Sequence, residues 1–111
     1  AYKQGDVVLI PYPFGARAGG KRRPVLVLSS PEYNQATGEL VIAQITSSTS
    51  AQAHPGDYHI EAWEEANFPS PALVRGRLAT LKSSLVLRRL GELTESDFRA
   101  VRQALGDVIL S

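Results

Sequence analysis

Apolar runs of strand length recur from Val7 to Leu90, and a stretch with helical spacing closes the chain. Val7-Val8-Leu9-Ile10, Val25-Leu26-Val27-Leu28 and Leu40 to Ile45 are apolar with little alternation, the pattern of strands buried on both faces. Glycine, proline and serine clusters bound them. This punctuation predicts strands over 5–11, over a second segment opening at Pro24, over 40–46, over a short alternating 57–61, and over 73–81 and 85–90. Pro31 to Ala36 has room for one helical turn, and Gly76 interrupts the fifth strand. After Leu90 the period changes. Thr94 is suited to be an N-cap, Leu93 and Phe98 to a hydrophobic staple, and Phe98, Val101, Leu105, Val108 and Ile109 fall on one helical face. Asp97 stands where a capping box has Glu, a weaker partner, and Gly106 costs the helix about 1 kcal/mol relative to Ala. Five or six short strands and one amphipathic helix predict a mainly β fold with a C-terminal α-helix, a small bent sheet or barrel capped by that helix.

Composition changes this picture little. A length of 111 residues suits a single domain over 1–111. There is no cysteine, so disulfides and thiolate metal sites are excluded. The apolar runs are too short for a spanning helix and no leader pattern opens the chain, which makes the cytoplasm the expected location. Net charge is only +1, but its distribution is uneven. Residues 1–30 carry Lys3, Arg17, Lys21, Arg22 and Arg23 against Asp6, residues 31–71 carry no Lys or Arg, and Arg75, Arg77, Lys82, Arg88 and Arg89 follow. Strand pairing that joins the two basic segments would make one positive face on a nearly neutral protein.

Candidate chemistry centres on Lys21-Arg22-Arg23-Pro24, where a strand would fix a guanidinium suited to phosphate oxygens. A solvated basic turn is the plainer reading of the same residues. Gly15, Gly20 and Lys21 have most of the spacing of a P-loop, yet Arg22 replaces its Ser or Thr and a strand follows where its helix must begin. Nucleoside triphosphate hydrolysis is therefore not expected. Thr46 and Ser47 end the third strand, beside the start of the second if the two are antiparallel neighbours. Thr46 can orient a phosphate oxygen, and a β-branched strand residue fits the position equally. Tyr12 and Phe14 flank the basic loop as stacking candidates. His54 has the chemistry of a base, although it falls in a loop; His59 and Trp63 read as structural. Neither the histidines nor the carboxylates have metal-ligand spacing, and no cofactor is expected.

Taken in order, Gly5-Asp6-Val7-Val8, Lys21 to Ser29, Tyr33-Asn34, Gln44-Ile45-Thr46-Ser47-Ser48 and Arg77 to Leu81 resemble the MazF/PemK family of toxin endoribonucleases. The resemblance implies an SH3-like barrel, a homodimer, and sequence-specific, metal-independent cleavage of single-stranded RNA. It also implies neutralisation by a cognate antitoxin, which the cationic face predicts to carry an acidic, disordered inhibitory segment. By the same resemblance the catalytic positions fall on Arg23 and on Thr46 or Ser47, of which Thr46 is taken as catalytic and Ser47 as an RNA contact, and Arg75 matches an arginine that Kid-like members use. The charge and stacking arguments place Lys21, Arg22, Arg77, Tyr12 and Phe14 on the RNA, with His54 a candidate base. Kid-like members place a carboxylate where this chain has Arg77, so their general base does not transfer. A non-catalytic protein of the same fold, a topoisomerase poison similar to CcdB or an inactive member, is the alternative.

Overall fold

A computed structural model describes residues 1–12, 20–50 and 52–110. Six antiparallel strands form one sheet: β1 (Asp6–Tyr12), β2 (Lys21–Val27), β3 (Glu39–Thr46), β4 (Tyr58–His59), β5 (Leu73–Lys82) and β6 (Arg88–Glu92). Their spatial order is β4-β5-β3-β2-β1-β6. A short helix α1 (Pro31–Thr37) joins β2 to β3, and α2 (Glu95–Ile109) follows the sheet. The mainly β architecture with a C-terminal helix is therefore the one the hydrophobic pattern predicts.

The low alternation of the central strands has a direct cause. Val7, Leu26, Ala43, Ile45 and Val74 pack on one face against Val101 and Leu105 of α2. Val8, Ile10, Val25, Val27, Leu40 and Ile42 fill a second core on the other face with Tyr2, Leu85 and Val86. Both faces exclude water.

Local differences from the sequence reading follow from pairing. β2 begins at Lys21, so Pro24 sits inside the strand and not at its first position. It is tolerated because β2 pairs with β3 only from Val25 onward, leaving one side of Pro24 outside any ladder. Of the segment 57–61 only Tyr58–His59 is strand, pairing with Val74 and Leu73. Residues Ser83–Leu85 form a 3₁₀ turn, which moves the last strand to Arg88–Glu92. α2 starts as expected, with Thr94 accepting from the Asp97 amide at 3.1 Å. Its last apolar residues run past the sheet, leaving Val108 46% and Ile109 60% exposed.

Two loops are tied down by polar contacts. Asp97, only 2% exposed, accepts hydrogen bonds from the Tyr58 hydroxyl and from the amides of Glu61 (3.1 Å) and Ala62 (2.9 Å). It anchors the chain after β4 to the helix, more than the capping role its position suggested. Asn67, in the left-handed region at φ 68°, donates to the Leu90 carbonyl at 3.1 Å. Beside it Gly91 passes so close that a Cβ would lie 2.5 Å from the Ala66 carbonyl oxygen. That contact admits only glycine and fixes the segment carrying Phe68, Pro69 and Ser70.

Candidate functional site

Arg23 lies within β2, paired with Ile10 of β1, and is held there by the apolar residues that follow it. Its guanidinium stands 5.1 Å from the centre of the Tyr12 ring, within cation–π range. Its Nε is buried and has no hydrogen-bond partner among the described residues. A guanidinium held on a ring with a donor unmet is primed for an acceptor, because an unsatisfied buried donor is costly.

The β2–β3 ladder ends at the pair Val25 and Gln44, and just beyond it Arg23 and Thr46 line one cavity. A cavity of about 280 Å³ collects Arg22, Arg23, Thr46 and Ser47, closed on the far side by Phe68 and Pro69. Thr46 Oγ1 accepts from the Ser48 amide at 3.1 Å, so its own proton is free to be donated. This pocket offers positive charge and hydroxyls. Among the described residues its lining contains no carboxylate or histidine.

A second cavity, about 170 Å³, opens on the other side of Arg23, between Tyr12, Gln44, Arg77 and an apolar floor of Val25, Ile42 and Ala79. A third, about 220 Å³, is lined by His54, Asp57, Arg75 and Arg77. Arg23 borders the first two and Arg77 the last two, so the three are consecutive. The register explains how both arginines of β5 reach this row. Ala43 pairs with Leu78 and Ile45 with Val74, which leaves Gln44 alone opposite Arg75, Gly76 and Arg77. Such a bulge bends the strand and re-aims its side chains. Gly76 lies against the loop at Pro55 and Gly56, where a Cβ would be in ordinary contact at 3.6 Å from the Pro55 carbonyl oxygen.

Arg75 is oriented within this loop by three partners. It reaches His54 Nδ1 at 3.0 Å, the Gln52 carbonyl at 3.3 Å and Asp57 Oδ2 at 3.4 Å. Because a guanidinium only donates, Nδ1 of His54 accepts, which puts the ring proton of neutral His54 on Nε2. His54 is thereby committed to Arg75 and does not line the cavity of Arg23 and Thr46.

The two basic segments are thus brought together through Arg23 and Arg77, both neighbours of β3. Lys21 is exposed at the end of β2 opposite Tyr12. Phe14, with Gly15 of the P-loop-like spacing, lies outside the described residues. Arg89 belongs elsewhere, 3.1 Å from buried Asp6. His59 is exposed on β4, and Trp63 packs against the core. Ser29 and Asn34 are structural. Ser29 donates to the Asn34 amide oxygen, and Asn34 Nδ2 donates to the Tyr2 carbonyl at 3.0 Å, tying the N-terminus to α1. Sequence reasoning missed Gln44 and Asp57. Gln44 was detectable as the polar residue in an apolar strand, at the same parity as core Ile42, whereas nothing in the local pattern marks Asp57. Among the described residues no three His, Asp or Glu side chains converge as metal ligands would.

Residues 3–109 match the family model described as PemK-like, MazF-like toxin of type II toxin-antitoxin system. Among solved structures, a MazE–MazF complex from Deinococcus radiodurans is 28% identical over 97% of this chain and 95% of its own, with a TM-score of 0.76. MazF alone from the same organism is 25% identical over 99% and 97% of the two chains, at 0.75. An endoribonuclease with its cognate antitoxin from a mycobacterial species shares the fold at 0.76, with 21% identity over 98% and 95%. A search of curated proteins returns no match.

Proposed function

Since the chain belongs to the PemK-like, MazF-like toxin family of type II toxin–antitoxin systems, we propose that it is a sequence-specific endoribonuclease acting on single-stranded RNA. The observation that carries this reading is the cavity where Arg23, with its unmet Nε, meets Thr46 and Ser47. The scissile phosphate sits there. The 2′-hydroxyl attacks phosphorus as its proton passes to solvent water, the 5′-oxygen leaves and takes a proton from water, and the products are a 2′,3′-cyclic phosphate and a 5′-OH. Arg23 stabilises the charge that develops on the phosphorane oxygens, a task suited to a fixed guanidinium and not to a base. Thr46 donates to a non-bridging oxygen, while Ser47 and Arg22 hold the flanking backbone. Arg75, braced by Asp57 and His54, meets a neighbouring phosphate two cavities away, with Arg77 and exposed Lys21 adding charge along the path. On this reading His54 positions Arg75 instead of serving as the base.

The protein acts in the cytoplasm as a homodimer and is restrained by an antitoxin. The inhibitory segment of that partner is acidic with interleaved apolar residues, disordered when free, and lies over the row of cavities from Arg23 to Arg75. The purified protein is expected to cut single-stranded RNA in excess EDTA and to spare duplex RNA, whose A-form geometry hides base edges and holds the 2′-OH out of line. An acidic peptide of that composition should inhibit cleavage, less at high salt. Dependence on added magnesium would overturn the metal-independent chemistry, and salt-indifferent inhibition would place the partner elsewhere.

A further inference from the structure

We infer that the cavity between Tyr12, Gln44 and Arg77 is a nucleobase pocket, with Gln44 the residue that selects an adenine next to the scissile phosphate; this rests on the ribonuclease reading above. At about 170 Å³ the space is far smaller than a drug-sized site and suits one planar ring. Its construction is that of a base site. Tyr12 supplies a π surface already carrying the Arg23 guanidinium, and base–aromatic stacking of this kind tolerates every base. Val25, Ile42 and Ala79 make a dry floor.

Selection must then come from the polar groups, and two are present. Arg77 is exposed and borders the next cavity as well, the position of a backbone contact. Gln44 is half-buried, on a central strand paired with Val25, at the point where β5 bulges away. The bulge leaves Gln44 without a one-to-one partner on β5, and its side chain lines the cavity. Against a base that enters by its Hoogsteen edge, an amide with one donor and one acceptor side by side matches the adenine N7 acceptor and N6 amino donor, whereas guanine O6 and N7 are both acceptors and the pyrimidines have no N7. In a single strand these edges are open to the protein.

The pocket also completes the geometry of the site. A base seated between Arg23 and Arg77 leaves the phosphates on either side facing the Arg23–Thr46 cavity and the Arg75 cavity, as a strand crossing consecutive pockets requires.

Binding of non-cleavable 2′-O-methyl oligonucleotides tests this without cleavage. Labelled single-stranded A-, C-, G- and U-tracts of equal length are titrated by fluorescence anisotropy against the wild type, Gln44→Glu and Tyr12→Leu. Circular dichroism checks that each variant is folded. The wild type is expected to prefer the A-tract. Gln44→Glu, which keeps the shape but loses the donating amide, should lose roughly five- to hundredfold of that preference. Tyr12→Leu should weaken all four tracts together. Equal binding of all tracts by the wild type, or an A-preference that survives Gln44→Glu, would overturn the inference. If the preference is present and removed by Gln44→Glu while no RNA is cut, the pocket stands and the nuclease reading falls.

Discussion

Replacing Arg23 with alanine is expected to slow cleavage of single-stranded RNA by roughly a hundredfold or more, the scale on which one preorganised transition-state donor acts. The loss should fall in kcat more than in KM. A group that binds the phosphorane more tightly than the ground-state phosphate spends its interaction in the transition state. Thr46→Ala should lose less, since a neutral hydroxyl contributes a weaker hydrogen bond than a guanidinium. Arg23→Lys should rescue only part of the rate, because an ammonium can neither pair bidentately nor stack flat on Tyr12. All three variants should stay folded, for the core lies in the residues that follow Arg23 along β2 and not in the arginine itself. A variant of Arg23 that unfolds, or that keeps the wild-type rate, would make the arginine structural.

Asp97→Ala is expected to be the most damaging substitution outside the site, costing roughly 3 kcal/mol or more and lowering Tm by roughly 12 °C. It strands three donors at once: the Tyr58 hydroxyl and the amides of Glu61 and Ala62. The same carboxylate shapes stability against pH. Burial pushes its pKa up, but the hydrogen bonds from Tyr58, Ala62, Glu61 and Thr94 outweigh burial and hold it below the ordinary carboxylate range. Its contribution is therefore complete above the unfolded value of about 4 and lost as pH falls through the folded one. Tyr58 runs the other way. Burial first, and then Asp97, raise its phenol, so its contribution is present below about pH 10 and lost above. Thermal unfolding of the wild type and Asp97→Asn across pH tests this. The variant should show a flatter acid limb, and parallel profiles would contradict the assignment.

These two residues mark how much the sequence could disclose. The strands, the helix and its Thr94 cap were legible because burial on both faces and a 3.6-residue period leave strong patterns. Arg23 was singled out as a cation held at the mouth of an apolar strand and by the family resemblance, and the structure sets it against Tyr12 and in one cavity with Thr46. Asp97 was seen as a capping residue, since its partners at Tyr58, Glu61 and Ala62 lie far back in the chain and contact no local motif. Gln44 and Asp57 were missed for a related reason. What makes Gln44 accessible is a bulge in β5, and what makes Asp57 matter is an arginine that the loop meets only after folding. Pairing near Pro24 and after Lys82 shifted strand ends by a few residues, because the ladder decides where a strand stops and the local sequence only permits it.

The chemical identity of the cut ends tests the central claim most directly. A defined single-stranded RNA is incubated with the protein in excess EDTA, alongside the same RNA carrying one 2′-deoxynucleotide on the 5′ side of the scissile bond. A 2′,3′-cyclic phosphate or its opened 3′-phosphate with a 5′-OH, and no cut at the deoxy position, is predicted. Ends bearing 3′-OH and 5′-phosphate, or cleavage that ignores the missing 2′-hydroxyl, would contradict it.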